Sequence, residues 1–362
     1  MAATRGLQLA RSLWTTPRRL ASASFAQCHA RVFTSRRTCM GWRRHGVSRY
    51  CSQPRNGAVC LSYTLHASDD AATASTVPPI VALHALFGRR ENMTAVSKAL
   101  AAATGRNVFA VDLRNHGDSP HTDDMDYALM SADLELFLHE RGLPRVALVA
   151  HSMGGRAAMK LAVTKPSAVE RLVAVDVAPT ALPQDLISVW LPWQINAMEH
   201  ILSLLSPDMS LDQALQLADE YLSREVTVTF CDRHSTFILF SRQKPYVRSY
   251  MLANLRKGLR TFEWQANLKV IRQNLEMLVD AHYLNNKISH VEALFISADR
   301  SVYITDEDAK AIKQTFPEAR VVTIKGANHW VYNDKREEFV DLVRDFMAAR
   351  RPESQLKTLS AA

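Results

Sequence analysis

One stretch constrains this chain more than any other. Val146-Ala147-Leu148-Val149-Ala150-His151-Ser152-Met153-Gly154-Gly155 is an apolar β-run that reaches a serine and passes straight into the helix-forming run Arg156 to Ala162. A strand that becomes a helix at a single residue forces that residue into a strained turn at the C-terminal edge of a sheet. The hydroxyl then stands clear of the backbone, beside a helix N-terminus whose free N–H groups can hold an anion. Such a turn brings strand and helix backbones close together, so its neighbours must be small; here they are Ala150, Gly154 and Gly155. The pattern is G-x-S-x-G with Ala150 in place of the first glycine.

The surrounding chain alternates short apolar runs with amphipathic stretches. Val59 to Leu65 alternates and reads as an edge strand, and Asp69 to Pro79 as a polar turn region. Ile80 to Leu83, Val108 to Val111, Leu172 to Val175, Ala293 to Ile296 and Val321 to Ile324 are apolar on both faces, with helices expected between them. That pattern predicts an α/β fold, a mostly parallel sheet covered by helices on both faces, with functional groups where strands end and helices begin. From about Ala178 to Ser289 the β rhythm gives way to helical stretches: Leu186 to Leu205, Leu211 to Leu222, Tyr246 to Leu255 and Phe262 to His282. An insertion of this size between two sheet strands predicts a helical cap. The expected division is a core over 58–178 and 290–351, a cap over 179–289 and a polar tail over 352–362. The cap residues Leu186, Ile187, Val189, Trp190, Leu191 and Trp193 fit two readings: an acyl channel or membrane-facing surface, and simple packing of cap on core.

The net charge of +8 is concentrated at one end. Residues 1–68 hold eleven arginines, no lysine and no acid, which leaves the remainder at −3. A basic nucleic-acid face is therefore not indicated. The acid-free, Arg- and Ser-rich leader, with apolar spacing at Leu7, Ala10, Leu13 and Trp14, reads as a mitochondrial transit peptide over 1–51 ending near Arg49-Tyr50-Cys51-Ser52. A run of about 18 apolar residues, the length that spans a bilayer, does not occur, so contact with a membrane is expected to be peripheral at most. Cys60 and Cys231 follow the leader with neither disulfide nor zinc spacing, which fits a reducing compartment such as the matrix.

A serine at its ordinary pKa needs a base, and the base needs an orienting acid. His329 falls in Lys325-Gly326-Ala327-Asn328-His329-Trp330, after the last strand and before the last helix, where a base is expected when the nucleophile comes first. Asn328 tolerates left-handed backbone angles and is expected to make the turn before it. His329 and Asp334 also match an H-x4-D spacing, too permissive to carry weight. The usual acid position, after Ala293 to Ile296, is Ser301, which has no charge to orient a base. Two aspartates remain: Asp299, beside Arg300, and Asp176, at an apolar strand end where an unpartnered carboxylate is costly. Asp176 is favoured because it ends on the functional edge. The oxyanion donors are expected to be the N–H groups of Met153 and Leu86, the latter in His84-Ala85-Leu86-Phe87-Gly88. The run Asp112 to Gly117 ends a strand at the same edge and reads as charges that tie loops together.

These residues resemble the α/β-hydrolase superfamily, and within it the group formed by mitochondrial α/β-hydrolase domain-containing protein 11 and bacterial esterases. The matching stretches are His84 to Gly88, Asp112 to His121, His151 to Gly155, Val175 to Pro179, Val247-Arg248, Asn254-Leu255, Trp264, Asn267-Leu268 and His329 to Val331. The resemblance implies a serine hydrolase of carboxylic or lipid-acyl esters that uses no cofactor and no metal. It also implies an acid at Asp176, since that group is similar in lacking the later acid; an alternative acid in the cap falls at Lys269, which cannot serve. The chain departs from the group at Ala85, Ala150 and Asn328, each where glycine is usual. Two other readings fit the same residues: a scaffold that keeps the fold for binding, and an acyltransferase whose acceptor is not water.

Overall fold

The computed structural model describes residues 57–184, 186–224, 231–232, 235–236, 245–280, 282–284 and 287–349. The predicted leader, its processing point and the tail over 352–362 lie outside these residues, as does the side chain of Ile187. Seven strands form one sheet: β1 (Tyr63–His66), β2 (Ile80–Leu83), β3 (Val108–Val111), β4 (Val146–His151), β5 (Val169–Val175), β6 (Glu292–Ala298) and β7 (Arg320–Ile324). They lie in the order β1-β3-β2-β4-β5-β6-β7. β1 pairs antiparallel with β3, and every other neighbouring pair is parallel. β1 begins later than its alternating sequence predicts. Asp133 and Ser119 side chains accept the N–H groups of Val59 (2.7 Å) and Ser62 (2.8 Å), so the N–H groups that a longer strand would pair are taken by side chains.

The helices of eight or more residues are α1 (Thr94–Thr104), α2 (Tyr127–Arg141), α3 (Met153–Thr164), α4 (Leu191–Leu204), α5 (Leu211–Arg224), α6 (Pro245–Leu252), α7 (Asp306–Thr315) and α8 (Arg336–Ala348). The two-residue period of the strands sorts their side chains onto two faces. Val81, Leu83, Phe109, Val111 and Leu148 pack in one core with α2, α3 and α7. Ile80, Ala82, Val108, Ala110 and Val149 pack in the other with α1 and α8. The polar segment before β2 contains a short helix, Ala71–Thr76, capped by the Asp70 carboxylate.

Between β5 and β6 the chain is mainly helical, as its periodicity predicts, with one correction. The stretch Phe262 to His282 is not one helix: Leu255–Lys257 and Phe262–Trp264 form a hairpin, followed by short helices at Leu268–Gln273 and Leu275–Val279. Phe262 and Trp264 are buried on either side of exposed Glu263, a two-residue period, and Asn267 caps the next helix by accepting the Val270 N–H. The core beneath α3 continues without a break into Leu191, Ile195, Met198, Ala214, Met251 and Trp264. No helix among the described residues is long and apolar enough to cross a membrane.

A second correction concerns Cys60, which is disulfide-bonded. Pairing depends on the approach of two Cβ atoms in space, which sequence spacing does not report.

Charge is buried where loops are tied. Arg114 donates from Nε to Asp133 Oδ2 at 2.6 Å and from Nη2 to Oδ1 at 2.7 Å, and both side chains are almost wholly buried. Breaking such a pair from one side leaves an uncompensated charge, so Asp133→Ala is expected to cost about 3–5 kcal/mol. Removing the exposed partner of Lys165 with Glu135→Ala is expected to cost under about 1 kcal/mol. Denaturant unfolding of the two variants checks the contrast.

Candidate active site

Ser152 occupies the predicted turn with φ +51° and ψ −116°, between the last residue of β4 and the first of α3. Its N–H donates to the Val175 carbonyl at 3.1 Å, which pins the turn to the neighbouring strand. The crowding that the sequence implies is present. A Cβ on Gly154 would lie 2.6 Å from the His84 carbonyl oxygen, and one on Gly155 2.5 Å from Val177 Cγ1. Ala150 is fully buried in β4 and accommodated.

Asp176 follows β5 with φ +47°, its N–H bonded to the Ile296 carbonyl at 2.7 Å. Its carboxylate is wholly buried. Oδ1 accepts the Ala298 N–H at 3.3 Å; Oδ2 accepts the Ser301 hydroxyl and lies 2.7 Å from His329 Nδ1. The structure therefore brings His329 to Asp176. Asp299 is exposed and accepts the Gly326 N–H at 2.6 Å, a turn contact. Ser301, at the usual acid position, is a partner of the carboxylate that sits on the strand next door.

The imidazole of His329 is held on two sides. Tyr303 stacks on it with ring centres 3.9 Å apart and planes 16° apart, and His151 lies 4.5 Å away. His151 belongs to the serine turn, whereas Tyr303 is signalled only by its place two residues after Ser301. The expected left-handed Asn328 is not found. Gly326 takes the positive φ in this loop (+74°), while Asp334 accepts both the N–H (2.8 Å) and side-chain amide (2.9 Å) of Asn328. The Asp334 carboxylate of the H-x4-D match therefore shapes the turn.

The loop after β2 is built around two buried histidines. His84 Nε2 accepts the Leu113 N–H at 3.0 Å, and His116 Nε2 accepts the Phe87 N–H at 3.3 Å. Their Nδ1 atoms lie against the carbonyls of Ala85 (2.8 Å) and Arg114 (3.0 Å), so each ring is neutral and carries its proton on Nδ1. From α6, the Tyr250 hydroxyl donates to the Ala85 carbonyl at 3.1 Å, and Asn254 donates its side-chain amide to the Phe87 carbonyl. Asp112 bonds the backbone N–H groups of Arg90 (2.6 Å) and Asp118 (2.9 Å), in keeping with a structural tie.

Leu86, Met153, Ser152 and His329 line one cavity of about 680 Å³ including its open mouth. Trp190, Leu191 and Met251 from the helical insertion close much of the rest, and Trp190 stacks on Trp193 with ring centres 5.1 Å apart. Mostly apolar walls with few polar groups suit a ligand with an apolar part.

A parallel sheet with a serine on a strained strand-to-helix turn, and an imidazole–carboxylate pair at the same edge, defines a class. The sequence model described as alpha/beta hydrolase fold matches residues 78–335, and the chain belongs to that family. It is 37% identical over 290 residues to a protein of Xenopus tropicalis named sn-1-specific diacylglycerol lipase ABHD11, covering 80% of this chain and 82% of the relative. The Mus musculus protein of the same name is 36% identical, covering 80% and 85%. Among solved structures, a marine microorganism esterase superposes with a TM-score of 0.65 at 26% identity, covering 80% of this chain and all of that one.

Burial lowers His84 to about 4 and His116 to about 3, from 6.5. The unfolded chain therefore binds more protons between those values and 6.5, so each histidine contributes stability that is lost as pH falls through this window. Moving from about pH 7 to about pH 4.5 is expected to lower the unfolding midpoint, and to lower it less in His116→Gln. Thermal unfolding across that range checks it; equal slopes in the two proteins would refute the assignment.

Proposed function

We propose that the protein is a serine hydrolase of carboxylic esters, with Ser152 as nucleophile, His329 as general base and Asp176 as the acid that orients it. The single observation that carries this reading is the 2.7 Å contact between His329 Nδ1 and Asp176 Oδ2, in a cavity that Ser152 also lines. With Nδ1–H donated to the carboxylate, the Nε2 lone pair is free to take the serine proton. Ser152 Oγ adds to the ester carbonyl, and the N–H groups of Leu86 and Met153 hold the oxyanion. Collapse of the tetrahedral adduct expels the alcohol, which receives the proton from Nε2. Water, activated by the same imidazole, then releases the acid and restores the serine. This sequence requires no cofactor or metal.

The relatives named as diacylglycerol lipases and the esterase support an acyl ester as substrate. The helical insertion over 179–289 is read as a cap whose Trp190 and Leu191 form an apolar wall for that acyl group. The acid-free, arginine-rich leader is read as a mitochondrial address.

Fluorophosphonate labelling, read together with ester turnover, tests the reading. Ser152→Ala is expected to abolish both, and Asp176→Asn to lower kcat by roughly 10²- to 10⁴-fold because the imidazole loses its orientation and charge partner. Asp299→Asn is expected to change kcat by less than about 3-fold. A well-folded wild-type protein that takes no label and turns over no ester would instead be a binding protein on this fold. A faster reaction with an alcohol or thiol acceptor than with water would make it an acyltransferase.

A further inference from the structure

Arg156 lies on α3 four residues after Ser152 and is 1% exposed. Four helical residues rise about 6 Å, which places the Arg156 backbone one turn beyond the serine. It lines the same cavity as Ser152 and His329. Its guanidinium carbon stands 5.1 Å from the ring centre of Tyr283 and 5.9 Å from that of Tyr127. Nη1 donates to the Asp280 carbonyl at 2.8 Å, and Nη2 to the Thr180 carbonyl. Nε is buried with no acceptor, and no carboxylate among the described residues forms an ion pair with the group. The Tyr127 hydroxyl is committed to the Leu278 carbonyl at 2.6 Å.

A full charge removed from water and met by carbonyl dipoles, ring faces and the neutral Tyr127 hydroxyl is costly, and an arriving anion offsets that cost. Leu182, Leu278 and Val279 line the cavity as well. The planar guanidinium fork matches a carboxylate. We propose that Arg156 is a substrate-anion subsite: the preferred esters carry a carboxylate a few atoms from the scissile carbonyl, bound by this guanidinium. The proposal rests on the serine-hydrolase reading and narrows its substrate class. The carboxylate belongs either to the acyl part or to the alcohol part of the ester.

Initial rates of the full-length protein with two matched pairs test this. Monoethyl succinate against ethyl butanoate places the charge on the acyl side; 3-acetoxypropanoate against propyl acetate places it on the alcohol side. In wild type, kcat/KM is expected to be at least about 10-fold higher for the charged member of one pair, and that pair names the side. The charged-to-neutral ratio is expected to fall roughly 10- to 100-fold in Arg156→Gln and to recover in part in Arg156→Lys. If Arg156→Gln does not fold, the wild-type ratio decides, together with inhibition of ethyl butanoate turnover by glutarate. Charged and neutral esters turned over within about 3-fold of each other in both pairs, without inhibition by glutarate, would make Arg156 a structural tie. In that outcome, continued turnover of the neutral esters and fluorophosphonate labelling would leave the hydrolase reading standing. Loss of turnover and labelling alike would sink that reading, and the subsite with it.

Discussion

The close approach of α3 to the end of β2 is the constraint on which the site depends. Gly154 packs so tightly on the His84 carbonyl that a single added methyl would overlap it. That contact fixes the first turn of α3 beside the loop carrying Leu86, and sheet register does the rest. Leu83 pairs with Ala150, His151 with Val175, Ile296 with Val175 and Ala298 with Ile324. Each pairing ends one strand within a few residues of a site group: Leu86 after β2, Ser152 after β4, Asp176 after β5, Ser301 after β6 and His329 after β7. A parallel sheet turns residues far apart in the chain into neighbours along one edge.

Backbone strain collects at the same edge. Among the described residues, the non-glycine positions with clearly positive φ are Phe87, Asn115, Ser152 and Asp176, one after each of β2, β3, β4 and β5. Such conformations cost roughly 1–3 kcal/mol each and persist only when their surroundings over-determine them. The surroundings can be named. His116 accepts the Phe87 N–H and Asn254 bonds the Phe87 carbonyl. The Asn115 carbonyl accepts the Asn267 N–H at 2.8 Å, and the N–H groups of Ser152 and Asp176 bond the next strand over. Asn254 and Asn267 come from the helical insertion, so that segment both walls the cavity and holds the strained loops beneath it.

Much of this was legible in the sequence because it is written in local patterns. Apolar four-residue runs between helices predict a buried parallel sheet, and a serine wedged between strand and helix predicts its own turn. Period two at Phe262–Trp264 was hidden inside a segment that also satisfies helical spacing, and only the burial of Phe262 and Trp264 against the core resolves it. The stacking of Tyr303 on His329 and the bonds of His84 and His116 to the Leu113 and Phe87 N–H groups depend on contacts between distant segments, which no local period records. Asn328 tolerates left-handed angles, yet Gly326 supplies the bend and a side-chain bond from Asn328 to Asp334 supplies the rigidity.

The position of the carboxylate shows what such a site specifies. A base is oriented by an oxygen at hydrogen-bond distance from its Nδ1, and nothing in that requirement names the strand that carries the acid. β5 and β6 are adjacent and parallel, so the residue after β5 and the loop after β6 reach the same point beside His329. In the proposed site the carboxylate follows β5; Ala298, the last residue of β6, contributes its N–H to it and Ser301, in the loop after β6, its hydroxyl. Two donors besides the imidazole keep the wholly buried Asp176 carboxylate hydrogen-bonded, where an unpaired charge would be costly. An aspartate at position 301 would set a second carboxylate against the first, and like charges at that range cannot both stay ionised. The uncharged serine at the usual acid position is thus the physical counterpart of an aspartate at the end of the neighbouring strand.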